Sequence, residues 1–365
     1  MTGQGKTMGN EQAEVFDRIE AFRRRRPRLD DDVITLAHGA GGSASAALLE
    51  AVFLPAFGND VLEAQTDAAR LDLPPGGRLA FTTDANVVTP LRFPHASLGH
   101  LAVHGAVNDL AMVGARPVGL SAAFVVEEGF AVAELRDLVA DMAEAAAAAG
   151  VPIVAGDTRV VDRGAADGVF VVTSGVGVVP EGRTIEAAAV RPGDVVLLSG
   201  TLGDHGMAVM LARGLLPPGL DIVSDTAPLH DLVETLLAAA PGTRWLRDAT
   251  RGGLAAAGNQ LARDAEVAVV LDGDRLPVRP AVASACAALG VDPLHVANEG
   301  KLVAVVPPDE AGPALAALHG HPLGREAVRV GEVRADPPGE VVLTSPSGPD
   351  RVLDLLAGSP LPRIG

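Results

Sequence analysis

The sequence is poor in cysteine, tyrosine and lysine. It has one cysteine and no tyrosine, and only two of its 29 lysine and arginine residues are lysines, Lys6 and Lys301. One cysteine excludes an intrachain disulfide, and Cys286 lies among small apolar residues at helical spacing, which favours a packing position over a catalytic one. Because lysine is so rare, Lys301 in the body of the chain is expected to have a role that needs a lysine.

Long apolar runs and excess positive charge are also missing. No run approaches the roughly 18 apolar residues of a membrane span, and the first 29 residues lack the apolar segment of a secretory signal. The net charge of −17 argues against non-specific nucleic-acid binding. The basic cluster Arg23 to Arg26 is either a solvated arm or an interaction tail. We therefore expect a cytoplasmic protein with neither a membrane nor a nucleic-acid partner.

Length and pattern predict two domains. Strand-like and helix-like segments mix as far as Pro180, and a second unit opens at Arg191 with its own strand and glycine loop. We predict a flexible N-terminal tail at 1–32, domains at 33–185 and 186–355, and a Pro-rich tail at 356–365. The fold class is α+β, with a mixed sheet and flanking helices in each domain.

Apolar periodicity predicts the main helices and strands. Ser43 is a candidate N-cap, and Gly150 a helix end. The predicted helices are 98–115, 131–149, 226–240, 252–264 and 279–289, and the later strands lie near 267–271, 301–306 and 326–333.

Four aspartates of the first domain lie at the ends of predicted strands or beside small residues: Asp67, Asp84, Asp109 and Asp157. Each alone is well explained as a cap or turn residue. Mg²⁺ prefers several oxygen ligands, and carboxylates at loop starts can converge on a phosphate-bound metal. Four of them in one domain favour a Mg-nucleotide site.

A glycine-rich stretch, "HGAGG", follows the first strand-like segment at 38–42. It lacks the lysine and the spacing of a Walker A loop and the spacing of a dinucleotide fingerprint. Glycines before a helix still let backbone N–H groups approach a phosphate. The stretch is therefore either a ligand loop or a tight turn.

Two motifs of the second domain carry charged pairs. "LRDATRGGLAAA" places Asp248 and Arg251 before a helix start, where they form either a phosphate clamp or a local ion pair. "ANEGKLV" places Glu299 and Lys301 two residues apart before a strand, so alternation would send both side chains to one side. They form either an acid–base pair or a surface ion pair.

In order along the chain, these motifs resemble the HypE family of hydrogenase maturation factors. The resemblance runs from Ile34 to Ile364 through "LAHGAGG", "ARLDL", "NDLAMVGARP", "EEG", "GDTRVVDRGAAD", "SGTLGDHG", "RDATRGG", "ANEGKLV", "HPLGREA" and "PLPRI". The family belongs to the superfamily of aminoimidazole ribonucleotide synthetase, selenophosphate synthetase and thiamine-monophosphate kinase. The resemblance implies the two-domain synthetase-like architecture and a homodimer.

It also implies a chemistry that uses ATP and Mg²⁺. In this family a C-terminal cysteine receives a carbamoyl group from a HypF-type transferase, and ATP-dependent dehydration converts it to a thiocyanate. The cyanide then passes to the iron of a nickel–iron hydrogenase through a HypC/HypD-type complex.

The resemblance assigns roles to residues of this sequence. Glu299 is the candidate base, with Lys301, Arg159 and the terminal position, Gly365, as further catalytic positions. Nucleotide binding is assigned to His38, Gly39, Gly41, Gly42, Asp84, Asn108, Asp109, Asp157, Thr158, Asp248 and Arg251. Metal binding is assigned to Asp67, Asp84, Asp109 and Asp157.

Three positions depart from the family pattern. Gly365 stands where the family has its cysteine, and glycine has no side chain that could act as the nucleophile. Arg159 and His100 stand where lysine is common. We predict that this polypeptide does not accept a carbamoyl group at its terminus.

Three readings follow: a dehydratase whose terminal cysteine is lost, a non-catalytic paralogue that binds ATP and partners, or a kinase or cyclase of a free small substrate. The stiff tail "PLPRIG" argues against the last, because a free substrate needs no delivery arm.

Overall fold

The computed structural model describes residues 28–345, 348–356, 358 and 361. Lys6, the Arg23 to Arg26 cluster and Gly365 therefore lie outside the described residues. None of the helices within the described part combines the length and apolarity that a membrane crossing needs.

The first domain is a four-stranded sheet with helices on one face. Its strand order is β1-β6-β4-β5, in which only β4 and β5 run parallel. The strands are β1 (Arg78–Asn86), β4 (Arg116–Glu127), β5 (Ile153–Val161) and β6 (Val169–Val179), and β2 (Arg92–Phe93) and β3 (Ala96–Ser97) form a separate ribbon.

Two long helices cover that sheet. Helix α4 (Leu98–Met112) contacts β1, β4 and β6, and α5 (Val132–Ala149) packs along α4. Ser97 caps α4 through its hydroxyl, and α5 ends at Gly150, whose left-handed backbone (φ 64°) suits glycine. The shorter preceding helices are α1 (Ser43–Leu48), a π-turn (Leu49–Phe53), α2 (Leu54–Phe57) and α3 (Asp60–Glu63), after a 3₁₀ turn at Leu36–Gly39.

The second domain is a seven-stranded, mostly antiparallel sheet between two helical layers, in the order β13-β12-β9-β11-β7-β10-β8. Its strands are β7 (Val195–Leu198), β8 (Trp245–Asp248), β9 (Ala268–Asp272), β10 (Leu302–Val306), β11 (Val328–Arg334), β12 (Val341–Thr344) and β13 (Arg351–Val352). Its helices are α6 (Asp204–Ala212), α7 (His230–Ala239), α8 (Gly253–Asp264), α9 (Pro280–Leu289) and α10 (Ala311–Gly320).

The central strand β7 is buried on both faces. Val196 and Leu198 enter one core with α8, whereas Val195 and Leu197 enter the other with α7 and α10. A third core crosses the domain boundary, because α6 and α9 share it with α4 and α5 of the first domain. The two domains are therefore joined through packed side chains.

The main helices agree with the sequence-based prediction, and Cys286 is buried in α9 as expected. Ser43 as N-cap was wrong: Ser43 is already helical, and Gly42 with extended backbone is the cap residue. The helix predicted at 226–240 begins only at His230, because the residue before Pro228 is disfavoured in a helix.

Of the two contexts predicted for the aspartates, a strand end or a small neighbouring residue, the strand end was wrong. Asp84 and Asp157 are inside β1 and β5, and Asp109 is in the last turn of α4. The strands continue past the small residues because their backbone ladders are completed by β6 and β4.

Candidate active site

Four carboxylates from both domains gather where the domains meet: Asp84 of β1, Asp109 of α4, Asp248 of β8 and Glu299 before β10. Pairing of β10 with β8 sets Leu302 opposite Asp248, which brings the preceding Glu299 toward Asp248. Gly105 lets α4 approach β1, since a Cβ at this position would lie 2.5 Å from Asp84 Oδ2. The Thr82 hydroxyl donates to Asp109 Oδ2 at 2.7 Å.

Burial and mutual repulsion make this cluster unusual. Burial, then the charge of Asp109, raises the pKa of Asp84 despite the opposing Arg251. Burial, with Asp109 next, raises the pKa of Asp248 to about 6. Burial and the charges of Asp248, Asp225 and Asp84 raise the pKa of Glu299 well above its ordinary value. These carboxylates oppose one another's ionisation, so a cation bound among them would favour their ionised forms.

A coil segment, Ser224 to Leu229, holds this junction together, and nothing in the sequence pointed to it. Asp225 accepts the Glu299 backbone N–H at 3.0 Å and the Lys301 ammonium at 3.0 Å. The Ser224 hydroxyl is hydrogen-bonded to His205 Nδ1 at 2.9 Å, and Thr226 Oγ1 is hydrogen-bonded to His104 Nδ1 at 3.3 Å. The segment thus contacts helices of both domains.

Asn108 of α4 was predicted to bind nucleotide, but its side-chain amide makes hydrogen bonds within this junction. It donates to the carbonyls of Ala227 at 3.1 Å and Glu299 at 3.3 Å, and it accepts from the Leu229 N–H at 2.7 Å. Asn298, beside Glu299, accepts the Gly203 N–H at 2.8 Å. These buried amides fix the backbone on which Glu299 is mounted.

Glu299 and Lys301 do not form the predicted acid–base pair. Lys301 pairs with Asp225, where the two side chains are only 11% and 4% exposed. Glu299 faces Asp248, Asp84 and Arg251 instead. The strand β10 begins only at Leu302, so strand alternation does not extend back to these two residues.

The glycine-rich stretch lines a separate cavity of about 410 Å³ in the first domain. His38, Gly39 and Gly41 form one rim, and Asp157 to Arg159 of β5 form another. The walls are apolar: Leu48, Leu49, Phe53, Phe57, Leu62, Phe124 and Ile153. Gly39 is needed for the close approach of the two rims, because a Cβ there would lie 2.6 Å from Val160 N.

The polar groups of the rims differ in exposure. His38 is buried, and its Nδ1 accepts the Thr35 N–H at 3.0 Å. Asp157 Oδ1 accepts the Thr158 N–H at 2.8 Å, and its other oxygen lies 3.6 Å from the exposed Arg159. Gly42 is the cap residue of α1 rather than a lining residue.

The four aspartates predicted to bind metal do not converge within one chain. Asp84 and Asp157 lie near opposite edges of the sheet, about 14 Å apart by three strand spacings, and Asp67 lies in an exposed loop. Within the described residues, no three His, Cys, Asp or Glu side chains are arranged to hold a metal by themselves.

The described part of the tail returns to the second domain. Leu361 is 5% exposed and belongs to the core shared by the two domains. Its Cδ1 lies 3.3 Å from the point that a Cβ on Gly206 would occupy, so this glycine makes room for it.

Comparison with known proteins identifies two family domains. Residues 65–179 match the N-terminal domain, and residues 191–344 the C-terminal domain, of AIR synthase related proteins. The carbamoyl dehydratase HypE of Cupriavidus necator is 52% identical over 331 residues, which are 91% of this chain and 94% of that protein.

Solved structures are also similar over most of the chain. A crystal structure of the hydrogenase maturation protein HypE in complex with ATP has a TM-score of 0.87 and 43% identity, covering 91% of this chain and 99% of that one. A crystal structure of a HypE–HypF complex has a TM-score of 0.74 and 45% identity, covering 85% and 100%. The two-domain synthetase-like fold predicted from the sequence is confirmed.

Proposed function

The chain belongs to the carbamoyl dehydratase HypE family of hydrogenase maturation proteins, and from this we propose how its residues perform the family reaction. The substrate is a carboxamide carried on a thiol at the chain terminus, and the product is the thiocyanate that supplies cyanide to the hydrogenase iron. The observation that carries the proposal is the position of Glu299, which is buried at the domain junction next to the strand pair that carries Asp248.

We propose that ATP occupies the cavity of the first domain. Its volume of about 410 Å³ falls within the range of small-molecule sites, and its apolar walls suit a purine ring. The Thr158 hydroxyl and the Arg159 guanidinium would contact phosphate oxygens at the rim, and Gly39 and Gly41 leave room for the phosphates beside the backbone. The similarity to a HypE structure that contains ATP supports this placement.

Mg²⁺ would accompany the nucleotide and neutralise its phosphates. Mg²⁺ is commonly held by one or two carboxylates together with substrate phosphates, which suits the described part of the chain, where no complete protein cage is present. Asp84 and Asp109 would hold it at the junction, where a cation would offset the effects of burial and of Asp109 that raise the pKa of Asp84. Asp157 would face the phosphates at the cavity rim, and Asp67 is the most remote of the four candidates.

The residues of the junction then handle the two amide protons. The carboxamide oxygen bonds to the γ-phosphorus of ATP while ADP leaves and one N–H proton is removed. The C–O bond then breaks, phosphate leaves, and removal of the second N–H proton completes the C≡N bond. Glu299 accepts the first of these protons, passes it to the leaving phosphate and then accepts the second, because a raised pKa strengthens a carboxylate as a base.

Lys301 and Arg159 act by charge. Lys301 is held on Asp225 beside Glu299, and Arg159 at the cavity rim offers a fixed positive charge to phosphate but no proton near neutral pH. Gly365 stands at the position of the family's cysteine, so Gly365→Cys is the variant in which the dehydration site can be tested.

We propose a homodimer formed through the face of the first-domain sheet that none of the described helices covers. Leu79 and Phe81 of the edge strand β1 are 63% and 68% exposed, on the face opposite the side chains of Thr82 and Asp84. Large exposed apolar side chains on an edge strand are typical of an association surface.

The partners follow from the family. A HypF-type carbamoyltransferase would deliver the carboxamide, as the HypE–HypF complex supports, and a HypC/HypD-type complex would receive the cyanide. We place these steps in the cytoplasm, where ATP is supplied.

Calorimetry of ATP binding, with and without Mg²⁺, tests the nucleotide site. We expect Mg²⁺-dependent binding that falls at least about tenfold in Asp84→Ala and in Asp157→Ala, since each removes a charged contact. Asp272→Ala, which changes a carboxylate of the second-domain sheet that pairs with Arg275, should bind ATP like the unaltered chain. No measurable ATP binding would instead favour a scaffold that has lost its nucleotide site.

A further inference from the structure

Asp225 contacts both functional residues of the "ANEGKLV" motif through different oxygens. Its Oδ1 accepts the backbone N–H of Glu299 at 3.0 Å, and its Oδ2 accepts the Lys301 ammonium at 3.0 Å. The two motif residues are 74 and 76 positions away in sequence. One carboxylate therefore fixes both ends of the three-residue segment that carries Glu299.

The middle residue of this segment fits only without a side chain. A Cβ on Gly300 would overlap the Asp225 carbonyl oxygen, so the backbone of the motif lies directly against residue 225. The Glu299 carbonyl is held on its other side by the Ala227 N–H at 3.3 Å and the Asn108 amide at 3.3 Å. The peptide units on both sides of the Glu299 Cα are thus hydrogen-bonded to buried groups.

The Lys301 ammonium balances the charge of the Asp225 carboxylate that it contacts. Burial raises the pKa of Asp225, but the Lys301 ammonium and the Glu299 N–H outweigh burial and hold it below its ordinary value. Gly200 makes room for the lysine, because a Cβ there would lie 2.9 Å from Lys301 Cε. A compact ammonium fits here, whereas a planar guanidinium would need more space, which accounts for a lysine in a chain that has only one other, Lys6.

We infer that Asp225 is the positioning residue of Glu299, with Lys301 as its charge partner. This inference rests on the proposed role of Glu299 as the base. It assigns Lys301 to holding Asp225 ionised and in place, and it gives the coil from Ser224 to Leu229 a function that no motif indicated. The charged groups that face Glu299 are Asp84 of β1, Asp248 of β8, Arg251 after β8 and Asp225 itself.

A matched control exists in the same domain. Asp194 is 1% exposed, accepts the Arg191 backbone N–H at 2.7 Å and pairs with Arg244 Nε at 2.9 Å. Like Asp225, Asp194 is a buried carboxylate that accepts from a backbone N–H and pairs with a cation. Unlike Asp225, it does not contact Glu299. Loss of Asp194 should therefore reproduce any general cost of breaking such a contact.

The first test measures amide hydrogen exchange and needs no substitution at Gly365. In Asp225→Ala the Glu299 amide should exchange at least about tenfold faster, because its charged acceptor is gone. Asp225→Asn, which keeps one oxygen acceptor, should show a smaller increase, and Asp194→Ala should leave the Glu299 amide unchanged. Equal protection of that amide in all four proteins would overturn the inference.

The second test measures single-turnover dehydration of the carbamoylated thiol in a Gly365→Cys background. Asp225→Asn should lower the rate about 10²-fold, as expected for a displaced catalytic group, without changing the ATP concentration at half-maximal rate. Asp194→Asn should change neither quantity. Asp225→Asn combined with Lys301→Gln, a neutral hydrogen-bonding pair, should recover part of the rate.

The outcomes separate this inference from the proposed function. If Glu299→Gln abolishes turnover while Asp225→Asn does not slow it, the positioning role is wrong and the base stands. If Glu299→Gln turns over at the unaltered rate, the proposed base is wrong. If the double variant is slower than Asp225→Asn alone, Lys301 acts on the substrate rather than through Asp225.

Discussion

Asn108 Oδ1 accepts the backbone N–H of Leu229 at 2.7 Å, although Asn108 belongs to the first domain and Leu229 precedes α7 of the second. The amide nitrogen of the same side chain donates to two carbonyls of the second domain. One buried side chain therefore supplies three hydrogen bonds across the domain boundary.

Asn108→Ala should uncouple the domains. It leaves a buried N–H and two carbonyls without this partner, and we expect a loss of about 2–4 kcal/mol in the free energy of unfolding. Urea unfolding should then broaden or split into two transitions. Asn259→Ala removes a buried amide whose two bonds stay inside the second domain, and it should lower stability in a single transition. A single sharp transition in Asn108→Ala would contradict the coupling role.

His104 should make the fold sensitive to acid. Burial, with His100 and His230 nearby, lowers the pKa of His104 to about 3, from 6.5 in the unfolded chain. Its neutral form stabilises the fold fully above pH 6.5, and this contribution is lost as the pH falls toward 3, because only the unfolded state takes up the proton. Between pH 6.5 and 5 the loss is about 2 kcal/mol.

His104→Gln removes this proton linkage while keeping a polar side chain near Thr226. Its free energy of unfolding should fall by about 2 kcal/mol less than that of the unaltered chain over the same pH interval. Parallel stability curves for the two proteins would show that His104 does not stay neutral in the fold.

Asp248 should make the folding stability depend on pH in the opposite direction. Its pKa is raised from 3.8 to about 6, so the folded state holds a proton that the unfolded state releases. The associated stability is present below pH 3.8 and is lost as the pH rises through 6. At pH 8 the ionised group therefore costs about 3 kcal/mol.

The difference in the free energy of unfolding between Asp248→Asn and the unaltered chain should therefore depend on pH. It should move by about 3 kcal/mol in favour of Asp248→Asn when the pH is raised from below 3.8 to 8. The gain should come with weaker binding of Mg-ATP, because the cluster loses negative charge. Thermal unfolding at both pH values measures the first effect. An equal stability difference at the two pH values would disprove the assigned shift.

Leu361 should anchor the tail to the body. Leu361→Ala removes its contacts with the shared core and should cost about 2 kcal/mol, seen as faster proteolytic removal of the C-terminus. Leu356→Ala, at a residue that is 51% exposed, is the matched control and should change the cleavage rate little. Equal cleavage rates in the two variants would exclude Leu361 as an anchor.

Local patterns predicted much of the fold. Periodic apolar residues located α4 and α5, and strands β9, β10 and β11 begin within two residues of their predicted positions. The order of the strands in each sheet could not be predicted from the sequence, because β9 pairs with β12 and β11 through contacts that no local pattern encodes.

The site was predictable only where a motif marked it. "RDATRGG" and "ANEGKLV" directed attention to Asp248 and Glu299, whose proximity follows from strand pairing. Asp225 stayed hidden because it lies in a coil without periodicity and acts on a residue 74 positions away. The separation of Asp84 from Asp157 was missed for the same reason, since it depends on strand order.

The most direct measurement is the intact mass of the chain and of Gly365→Cys after incubation with a HypF-type transferase, carbamoyl phosphate and ATP. The unaltered chain should keep its mass. Gly365→Cys should gain one carboxamide group and then lose one water, mapped to residue 365, and Glu299→Gln in that background should stop at the carboxamide. An adduct on the tail of the unaltered chain, or a carboxamide on Gly365→Cys that never loses water with ATP present, would contradict the account.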